Sequence, residues 1–384
     1  MFSITDYTYS LPSSLIAQES IHPSHDARMM IIDRDSGKIS HETIFWNLDL
    51  YLGTDRVLFF NDSRVIRSRV ILKNIPYITS NKSEWIINGE IFYLWSISET
   101  SFNALIRPGN KFKIGTIFEI GEYKIEVTEM TETGRILKLN NWTTLSFLEK
   151  YGALPLPPYI RYTPEKEIDY QTVFAKNDWS VAAPTASLHF TQELLEKIQC
   201  PKEYLTLHIW LWTFQWIKTS DIRDYNIHSE KIELSFDIFE KIAEIKYNNK
   251  KIVAVGTTAT RTLESLPYLW KKMTATDTTV FNAKTRKYWN TITSDIKNNE
   301  WIDNISIIWN NTSIHFDTSI YITPWFNFLI INDLITNFHL SESSLLVLVS
   351  AFIGNDKTKS IYKDAIKKWY RFYSFGDGMY IRWK

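Results

Sequence analysis

A loop of small residues that ends in a histidine is the part of the sequence best suited to chemistry. Residues 181–190 read VAAPTASLHF, in which the alanines leave room for a ligand and Pro184 restricts the backbone. Thr191 follows and can cap a helix whose free N–H groups and positive dipole end favour an anionic or carbonyl group. We therefore predict that Thr185 and His189 belong to a binding site. The alternative is a tight loop that only connects two elements.

Two further polar clusters follow apolar segments that are predicted to be strands. Gly256, Thr257 and Thr258 come after KIVAV and open a predicted helix, where their N–H groups and hydroxyls could hold a carboxylate. Asn337 and His339 follow a second apolar strand, in NDLITNFHL. Open α/β sheets bind their ligands at the carboxyl ends of the strands, so we expect these clusters to form one site.

Four histidines and one charged pair have alternative interpretations. A metal site could be drawn from His189, His208, His228 and His339, but the sequence has no HExxH or other ligand spacing, so we predict no metal. Arg261 and Glu264 lie one helical turn apart and are either part of the site or a surface ion pair.

The composition of the chain limits the classes of protein to which it can belong. The chain has 384 residues, 44% of them hydrophobic and 22% charged, which predicts a globular protein of two or three domains. The single cysteine, Cys200, excludes an internal disulfide framework and a multi-cysteine metal site. The net charge is zero, so nucleic acid would have to bind a local basic cluster such as Arg64, Arg67 and Arg69. The apolar run at 344–354 is too short to span a bilayer, and we expect a cytoplasmic protein without membrane contact.

The predicted elements fall into two groups. Residues 56–140 contain short β-branched runs separated by turn residues, which predicts a small antiparallel barrel or sandwich. The proline-rich segment LPLPPYIR is typical of a domain junction. Helices are predicted at 144–150, 192–199, 236–247, 259–272, 343–353 and 359–370, with strands at 204–209, at 251–256 and near 304–332. This alternation indicates an α/β domain with a largely buried sheet.

Tryptophan is unusually common relative to glycine. The chain has 15 Trp and 12 Gly, whereas a usual glycine frequency of about 7% predicts roughly 27 glycines. Several tryptophans stand where a turn favours glycine, including Trp179, Trp325 after Pro324, and the closely spaced Trp210 and Trp212. Our hypothesis is that the source reads UGA as glycine while translation wrote tryptophan. The alternative is an aromatic-rich protein from a compositionally biased genome.

Ordered motifs along nearly the whole chain resemble one family, the S-adenosylmethionine:tRNA ribosyltransferase-isomerases of queuosine biosynthesis. They are FNDSRVIRSR at 60–69, RPG at 107–109, PLPPYIR at 155–161, VAAPTASLHF at 181–190, HSE at 228–230, VGTT at 255–258, DLITNFHL at 333–340 and YRFYSFGDGM at 370–379. Members of this family typically have glycine at the positions of Trp179, Trp210, Trp212 and Trp325, and often at that of Trp369. Tryptophan there would hinder folding or block a pocket.

The resemblance implies a mixed α/β (α+β) fold. A large α/β domain with a mixed sheet would comprise residues 1–65 and 150–384, with a smaller inserted antiparallel β-barrel at 66–149. The implied reaction moves the ribosyl part of S-adenosylmethionine, a co-substrate, onto the aminomethyl group of 7-aminomethyl-7-deazaguanine (preQ1) at the wobble position of a tRNA. Epoxyqueuosine-tRNA, adenine and methionine result. The implied partner is that tRNA, and we expect a monomer.

Such a reaction needs a base for the C5′ proton, a donor for the departing adenine and a neutral attacking amine. On the resemblance we assign His189 and His339 to proton transfer, and Glu230 to the cationic sulfonium or amine. The substrate-binding assignments are Arg64, Arg69 and Arg161 for phosphates, Tyr159, Tyr170 and Phe190 for stacking on a base or adenine, Thr257, Thr258 and Arg261 for the methionine carboxylate, and Thr185, His208, His228 and Asn337 as further contacts.

Two other functions stay open at this point. A non-catalytic tRNA-binding relative would keep the basic residues and the barrel but lose the pocket, as genuine tryptophans at 210 and 212 would predict. An S-adenosylmethionine-consuming enzyme acting on a small molecule would not need Arg64 and Arg69. Salt-dependent tRNA binding separates these two alternatives.

Overall fold

The structure is a computed structural model that describes residues 2–79, 83–209, 216–273, 275–296, 301–308 and 312–383. The strands of the described residues are β1 (Arg28–Asp33), β2 (Ile39–Ile44), β3 (Arg56–Asn61), β4 (Ser63–Val65), β5 (Arg69–Ile78), β6 (Glu84–Ser98), β7 (Ser101–Arg107), β8 (Ile117–Ile120), β9 (Tyr123–Met130), β10 (Arg135–Leu139), β11 (Gly152–Ala153), β12 (Asn177–Ser180), β13 (Lys202–His208), β14 (Glu230–Ser235), β15 (Lys251–Val255), β16 (Ile302–Ile307), β17 (Ser313–Thr318), β18 (Asp333–Asn337) and β19 (Gly378–Arg382).

Ten α-helices lie between these strands along the described part of the chain. They are α1 (Asp49–Leu52), α2 (Thr144–Tyr151), α3 (Lys166–Asp169), α4 (Gln192–Lys197), α5 (Ile238–Tyr247), α6 (Thr257–Lys272), α7 (Ala275–Thr278), α8 (Ala283–Ile292), α9 (Ser344–Ile353) and α10 (Asn355–Lys367). No helix of the described residues is both long and apolar enough to cross a membrane.

The larger sheet is mixed and has ten strands in the order β16-β17-β14-β13-β3-β15-β18-β19-β1-β2. Strands β13, β3, β15 and β18 run parallel to one another at its centre. Every residue of β3 is buried. Its alternate side chains enter two cores on opposite faces of the sheet, with Val57 and Phe59 in one and Leu58 and Phe60 in the other.

The second sheet closes into a small barrel. Its order is β11-β5-β6-β7-β10-β9-β8, and the additional pairing of Tyr77 in β5 with Phe118 in β8 joins six antiparallel strands into a ring. Phe102, Phe112 and Phe118 fill its interior. The structure therefore confirms the mixed α/β fold with a smaller antiparallel barrel and excludes the sandwich alternative. The domain boundaries near residues 65 and 150 remain predictions.

Several element boundaries differ from the sequence prediction for local reasons. Helix α6 begins at Thr257, two residues before the predicted start, because Gly256 adopts φ +94° and turns the chain directly from β15 into the helix. Helix α10 begins at Asn355 for the same reason, since Gly354 at φ +95° separates it from α9 by one residue. Glycines at such positions join elements that a periodicity analysis places further apart.

The backbone at three tryptophans has the conformation that favours glycine. Trp179, Trp325 and Trp369 have φ of +93°, +70° and +57°. Among the described residues these are the only tryptophans with positive φ, and all three were singled out from the sequence as glycine positions. Trp210 and Trp212 lie outside the described residues. The hypothesis of glycine at these positions thus gains support from backbone geometry at three of them.

Candidate active site

Two adjoining clefts lie where the central parallel strands end, beside the 3-10 turn Thr185–His189. The first cleft is narrow, with a cavity volume of about 20 Å³, and is lined by Ala183, Pro184, Thr185, Ala186, Ile209, Gly256, Thr257, Thr258, Thr336, His339 and Leu345. The second is equally narrow, also with about 20 Å³, and is lined by Tyr159, Thr185, Asn337, Phe338, His339, Leu340, Ser343, Leu345, Tyr373 and Ser374. The expectation that the three polar clusters meet at one end of the sheet agrees with this arrangement.

His339 lines both clefts and is held firmly. Its Nε2 lies 2.7 Å from Thr336 Oγ1, and its backbone N–H donates a 2.9 Å hydrogen bond to the Tyr362 hydroxyl. The Tyr9 hydroxyl donates to its carbonyl. Burial lowers the pKa of His339 to about 3, so the ring is neutral at physiological pH. The hydrogen bond to Thr336 leaves Nδ1 as the ring nitrogen that can serve a ligand.

His189 supports the second cleft without lining either one. Its ring stacks on Phe45 with 4.0 Å between centroids, and its Nε2 lies 3.3 Å from the Asn337 side-chain nitrogen. The same Asn337 nitrogen donates to the Tyr373 carbonyl at 3.1 Å. Burial lowers the pKa of His189 to about 3, so its Nε2 can accept from Asn337. The geometry makes His189 a residue that positions Asn337.

The N-terminus of helix α6 faces the first cleft. Gly256 is its N-cap and provides no side-chain hydrogen bond to the first turn. Thr257 and Thr258 both line the cleft. The first N–H groups of a helix have no partner inside the helix, so this end of α6 presents donors and a partial positive charge to a ligand.

Glu230 and Arg261 form a buried ion pair outside the two clefts. Arg261 Nη1 donates to Glu230 Oε2, and Arg261 Nε donates to the Ile320 carbonyl at 3.2 Å. His228 Nε2 lies 3.3 Å from the other oxygen of Glu230. The alternative of a surface pair between Arg261 and Glu264 is wrong, because Glu264 is buried and accepts backbone N–H bonds from residues 329–331.

The three aromatic residues predicted to stack have different surroundings. Tyr159 lines the second cleft, and its hydroxyl lies 2.8 Å from Ser374 Oγ. Tyr170 is fully buried with its ring edge-on to Phe375, and Phe190 is buried edge-on to Phe60. The rings of Tyr170 and Phe190 are therefore part of the core in this structure and have no free face for a base.

The remaining predicted residues line neither cleft. Burial lowers the pKa of His208 to about 4, and it lies at the end of β13 opposite Lys231. Arg64 and Arg161 are exposed, whereas Arg69 is bonded to Glu90 at 2.8 Å. Arg64 and Arg161 therefore belong to the outer surface, Arg69 to the barrel and His208 to the ten-stranded sheet.

Several residues that complete the clefts are not among those predicted from the sequence. Ser343, Tyr373 and Ser374 line the second cleft, and Tyr9 and Tyr362 hold His339. Tyr373 and Ser374 stand within YRFYSFGDGM, a motif that carries the family resemblance but to which no site residue is assigned from the sequence. Tyr9 carries no such signal, since it reaches the site only through tertiary packing.

We expect acid to destabilise the protein through its buried histidines. Each folded-state pKa of about 3 at His189 and His339 lies below the unfolded value of about 6.5, so the unfolded chain binds more protons between those pH values. The contribution of each neutral histidine to the free energy of unfolding is fully present above pH 6.5. It is lost as the pH falls, by about 1.4 kcal/mol per pH unit for each histidine. Urea midpoints between pH 7 and 5 measure this slope.

The matched variants for this measurement are His189→Gln and His41→Gln. The first removes a buried histidine and should make the dependence on pH shallower, whereas His41 is exposed on β2 and its replacement should keep the wild-type slope. Equal slopes in wild type and His189→Gln would show that His189 is not held neutral by burial.

No group of three or more histidine, cysteine or acidic side chains within the described ranges is arranged to hold a metal ion.

Comparisons with known proteins identify the family. The model of the queuosine biosynthesis protein family matches residues 4–381. A relative from Halothermothrix orenii, named S-adenosylmethionine:tRNA ribosyltransferase-isomerase, is 38% identical over 388 residues, covering 98% of this chain and 99% of its own. One of the same name from Clostridioides difficile is 35% identical over 384 residues, with coverage of 98% and 99%.

One solved structure matches nearly the whole chain at lower identity. The crystal structure of S-adenosylmethionine tRNA ribosyltransferase from Thermotoga maritima is 27% identical, covers 98% of this chain and 99% of its own, and superimposes with a TM-score of 0.49. From the match of the family model and the two relatives, this chain belongs to the queuosine biosynthesis protein family.

Proposed function

We propose that the protein is an S-adenosylmethionine:tRNA ribosyltransferase-isomerase. It moves and isomerises the ribosyl part of S-adenosylmethionine onto the aminomethyl group of preQ1 at the wobble position of a tRNA, and it releases adenine and methionine. The observation that carries the proposal is the pair of clefts that meet at neutral His339 beside the N-terminus of α6. The full-length family match supports it. We propose further that the protein acts as a monomer in the cytoplasm.

His339 is the best-placed residue for proton transfer. The reaction must remove a C5′ proton that the neighbouring sulfonium makes acidic, and a neutral imidazole can accept it. Thr336 fixes the ring through Nε2. A neutral ring also avoids repulsion with the cationic sulfonium, which a protonated histidine would cause. Glu230 forms an ion pair with Arg261 of helix α6 and lines neither cleft. We therefore assign it to positioning Arg261.

Tyr159 is the residue that we propose for stacking. Its hydroxyl is anchored on Ser374, so the ring is held at the second cleft with little remaining freedom. An aromatic ring fixed in this way suits a base or an adenine taken out of its stack. Arg64 and Arg161, which are exposed, are proposed to contact phosphates of the tRNA.

Release of adenine tests the proposal. Purified protein is incubated with S-adenosylmethionine and tRNA carrying preQ1, and we expect adenine to appear in step with modified tRNA. The control is the same tRNA with guanine at that position, which should give none. The assay includes the chain as written and a variant with glycine at positions 179, 210, 212, 325 and 369.

Each alternative function has its own outcome. Salt-dependent tRNA binding without adenine release from either version would refute the proposal in favour of a tRNA-binding relative. Adenine release with the free aminomethyl-deazaguanine base, at the same rate as with tRNA, would refute it in favour of a small-molecule enzyme.

A further inference from the structure

We infer that helix α10 docks on the phosphate backbone of the tRNA through a stripe of three lysines, Lys359, Lys363 and Lys367. This inference rests on the proposed function for the identity of the RNA. It adds a second binding surface to the exposed Arg64 and Arg161, and it places the RNA strand beside the second cleft.

The first observation is a local excess of positive charge. Residues 355–371, which are α10 and the four residues after it, contain six Lys or Arg and two Asp, in a chain whose net charge is zero. A segment with this excess attracts a polyanion, whereas the chain as a whole does not.

The second observation is the arrangement of the lysines on the helix. Lys359, Lys363 and Lys367 are exposed and follow one another at intervals of four residues, so they form one stripe with a rise of about 6 Å from each to the next. Asp364, the acidic residue nearest to them in sequence, lines a groove between α10 and residues 36–39 that none of the three lysines lines. A row of cations at regular intervals suits a row of phosphates better than a single anion.

The third observation is that two of these lysines are not engaged by the protein. Within the described ranges neither Lys363 nor Lys367 forms an ion pair, whereas Lys368, next along the chain, pairs with Glu42. Both side chains are therefore available to neutralise a phosphate and to release its counterions.

The position of α10 beside the second cleft indicates which part of the RNA it meets. Its Tyr362 hydroxyl accepts from the His339 N–H, and Tyr373, which lines the second cleft, follows Lys367 by six residues. Six residues span at most about 21 Å. A strand whose base enters the second cleft thus has its neighbouring phosphates within reach of the end of α10.

The buried side of the helix argues against a membrane surface as the partner. A basic helix that binds a bilayer inserts a free apolar face between the lipids. The apolar side of α10, with Ile361, Tyr362 and Ala365, is already buried in the protein. Only its lysine stripe is left for a partner, which favours RNA.

Salt-dependent binding of an unmodified tRNA transcript tests this inference without S-adenosylmethionine or turnover. Fluorescence anisotropy gives the dissociation constant at several KCl concentrations. Each lost phosphate contact lowers the slope of log K against log salt by roughly 0.7–0.9, so Lys363→Gln/Lys367→Gln should lower it by about 1.5 and weaken binding about tenfold. Lys363→Arg/Lys367→Arg should keep the wild-type slope because both charges remain. Lys359 is left unchanged because its ammonium lies 3.8 Å from Asp6.

The matched control is Lys271→Gln/Lys287→Gln, which removes two exposed lysines from α6 and α8. It should bind tRNA as the wild type does, and equal melting temperatures show that all the variants fold. A wild-type slope and affinity in Lys363→Gln/Lys367→Gln would make the stripe a solvated helix face only and overturn the inference. An equal loss in the control, or no salt-dependent binding by the wild type, would overturn it as well.

Failure of the two proposals can be told apart. A protein that binds tRNA through α10 but releases no adenine refutes the proposed function alone. A protein that releases adenine from preQ1-tRNA, with the same KM for tRNA in the wild type and in Lys363→Gln/Lys367→Gln, refutes the docking surface alone.

Discussion

The double variant W325G/W369G is expected to have a free energy of unfolding about 2 kcal/mol higher than that of the chain as written. An L-residue in the left-handed region costs roughly 1–2 kcal/mol, and the extra freedom of glycine in the unfolded chain returns part of this, which leaves about 1 kcal/mol for each site. The sites lie in different elements, so their effects should add. Urea denaturation at constant pH measures the sum.

Trp369 shows the reason most clearly. It follows the C-cap of α10 with φ +57°, the Tyr370 N–H donates to the Ala365 carbonyl at 3.0 Å, and the Trp369 N–H donates to the Ile366 carbonyl at 3.1 Å. These bonds define a Schellman ending, in which glycine is the preferred residue at this position. The Trp369 side chain is 71% exposed, so its removal sacrifices little burial.

Trp325 is the third residue of a tight turn, where a positive φ again favours glycine. The Phe326 N–H donates to the Thr323 carbonyl at 3.0 Å across Pro324 and Trp325, and Trp325 has φ +70°. Proline followed by a residue of positive φ is the pattern of a type II turn, which favours glycine at the second of these positions. The side chain is 66% exposed.

The control is Trp85→Gly. Trp85 is 59% exposed but lies in β6 and is not among the described residues with positive φ. Glycine within a strand weakens it, so this variant should be less stable than the chain as written. If W85G and the two single variants W325G and W369G all changed the free energy of unfolding in the same direction, the backbone explanation would be rejected.

The sequence could predict the backbone features because each of them is local. Strand ends followed by Gly256 or by Asn337, proline before Trp325 and the run of short β-branched segments each constrain their own few residues. The barrel and the mixed sheet follow from such segments once the resemblance gives their order. Even the glycine hypothesis depends on turns that span four residues.

Side-chain surroundings could not be predicted in the same way. Phe190 and Tyr170 stand in motifs that point to the site, yet their rings pack against Phe60 and Phe375 from distant parts of the chain. From the sequence, Glu230 is assigned to a substrate cation, but in the structure its carboxylate is paired with Arg261. Such residues become neighbours only through the order of strands in the sheet, because strands that are adjacent in space are many residues apart in the sequence.

His339→Ala is expected to lower kcat for adenine release by at least about 100-fold, the usual contribution of a general base. The loss should appear in kcat more than in the affinity for S-adenosylmethionine, since Gly256, Thr257 and Thr258 at the start of α6 still line the first cleft. His189→Ala, the comparison variant, removes a ring that lines neither cleft and should mainly lower the free energy of unfolding.

Added imidazole separates proton transfer from a structural role for His339. The ring of His339 lines both clefts, so its removal leaves a space open to a small base, and imidazole should restore part of the rate in proportion to its neutral fraction. His189 is enclosed by Phe45 and Asn337, so imidazole should not restore activity lost in His189→Ala. A His339→Ala protein that keeps the wild-type kcat would assign the proton to another group. In that case Thr336 would hold a ring whose role is only to form part of the wall between the clefts.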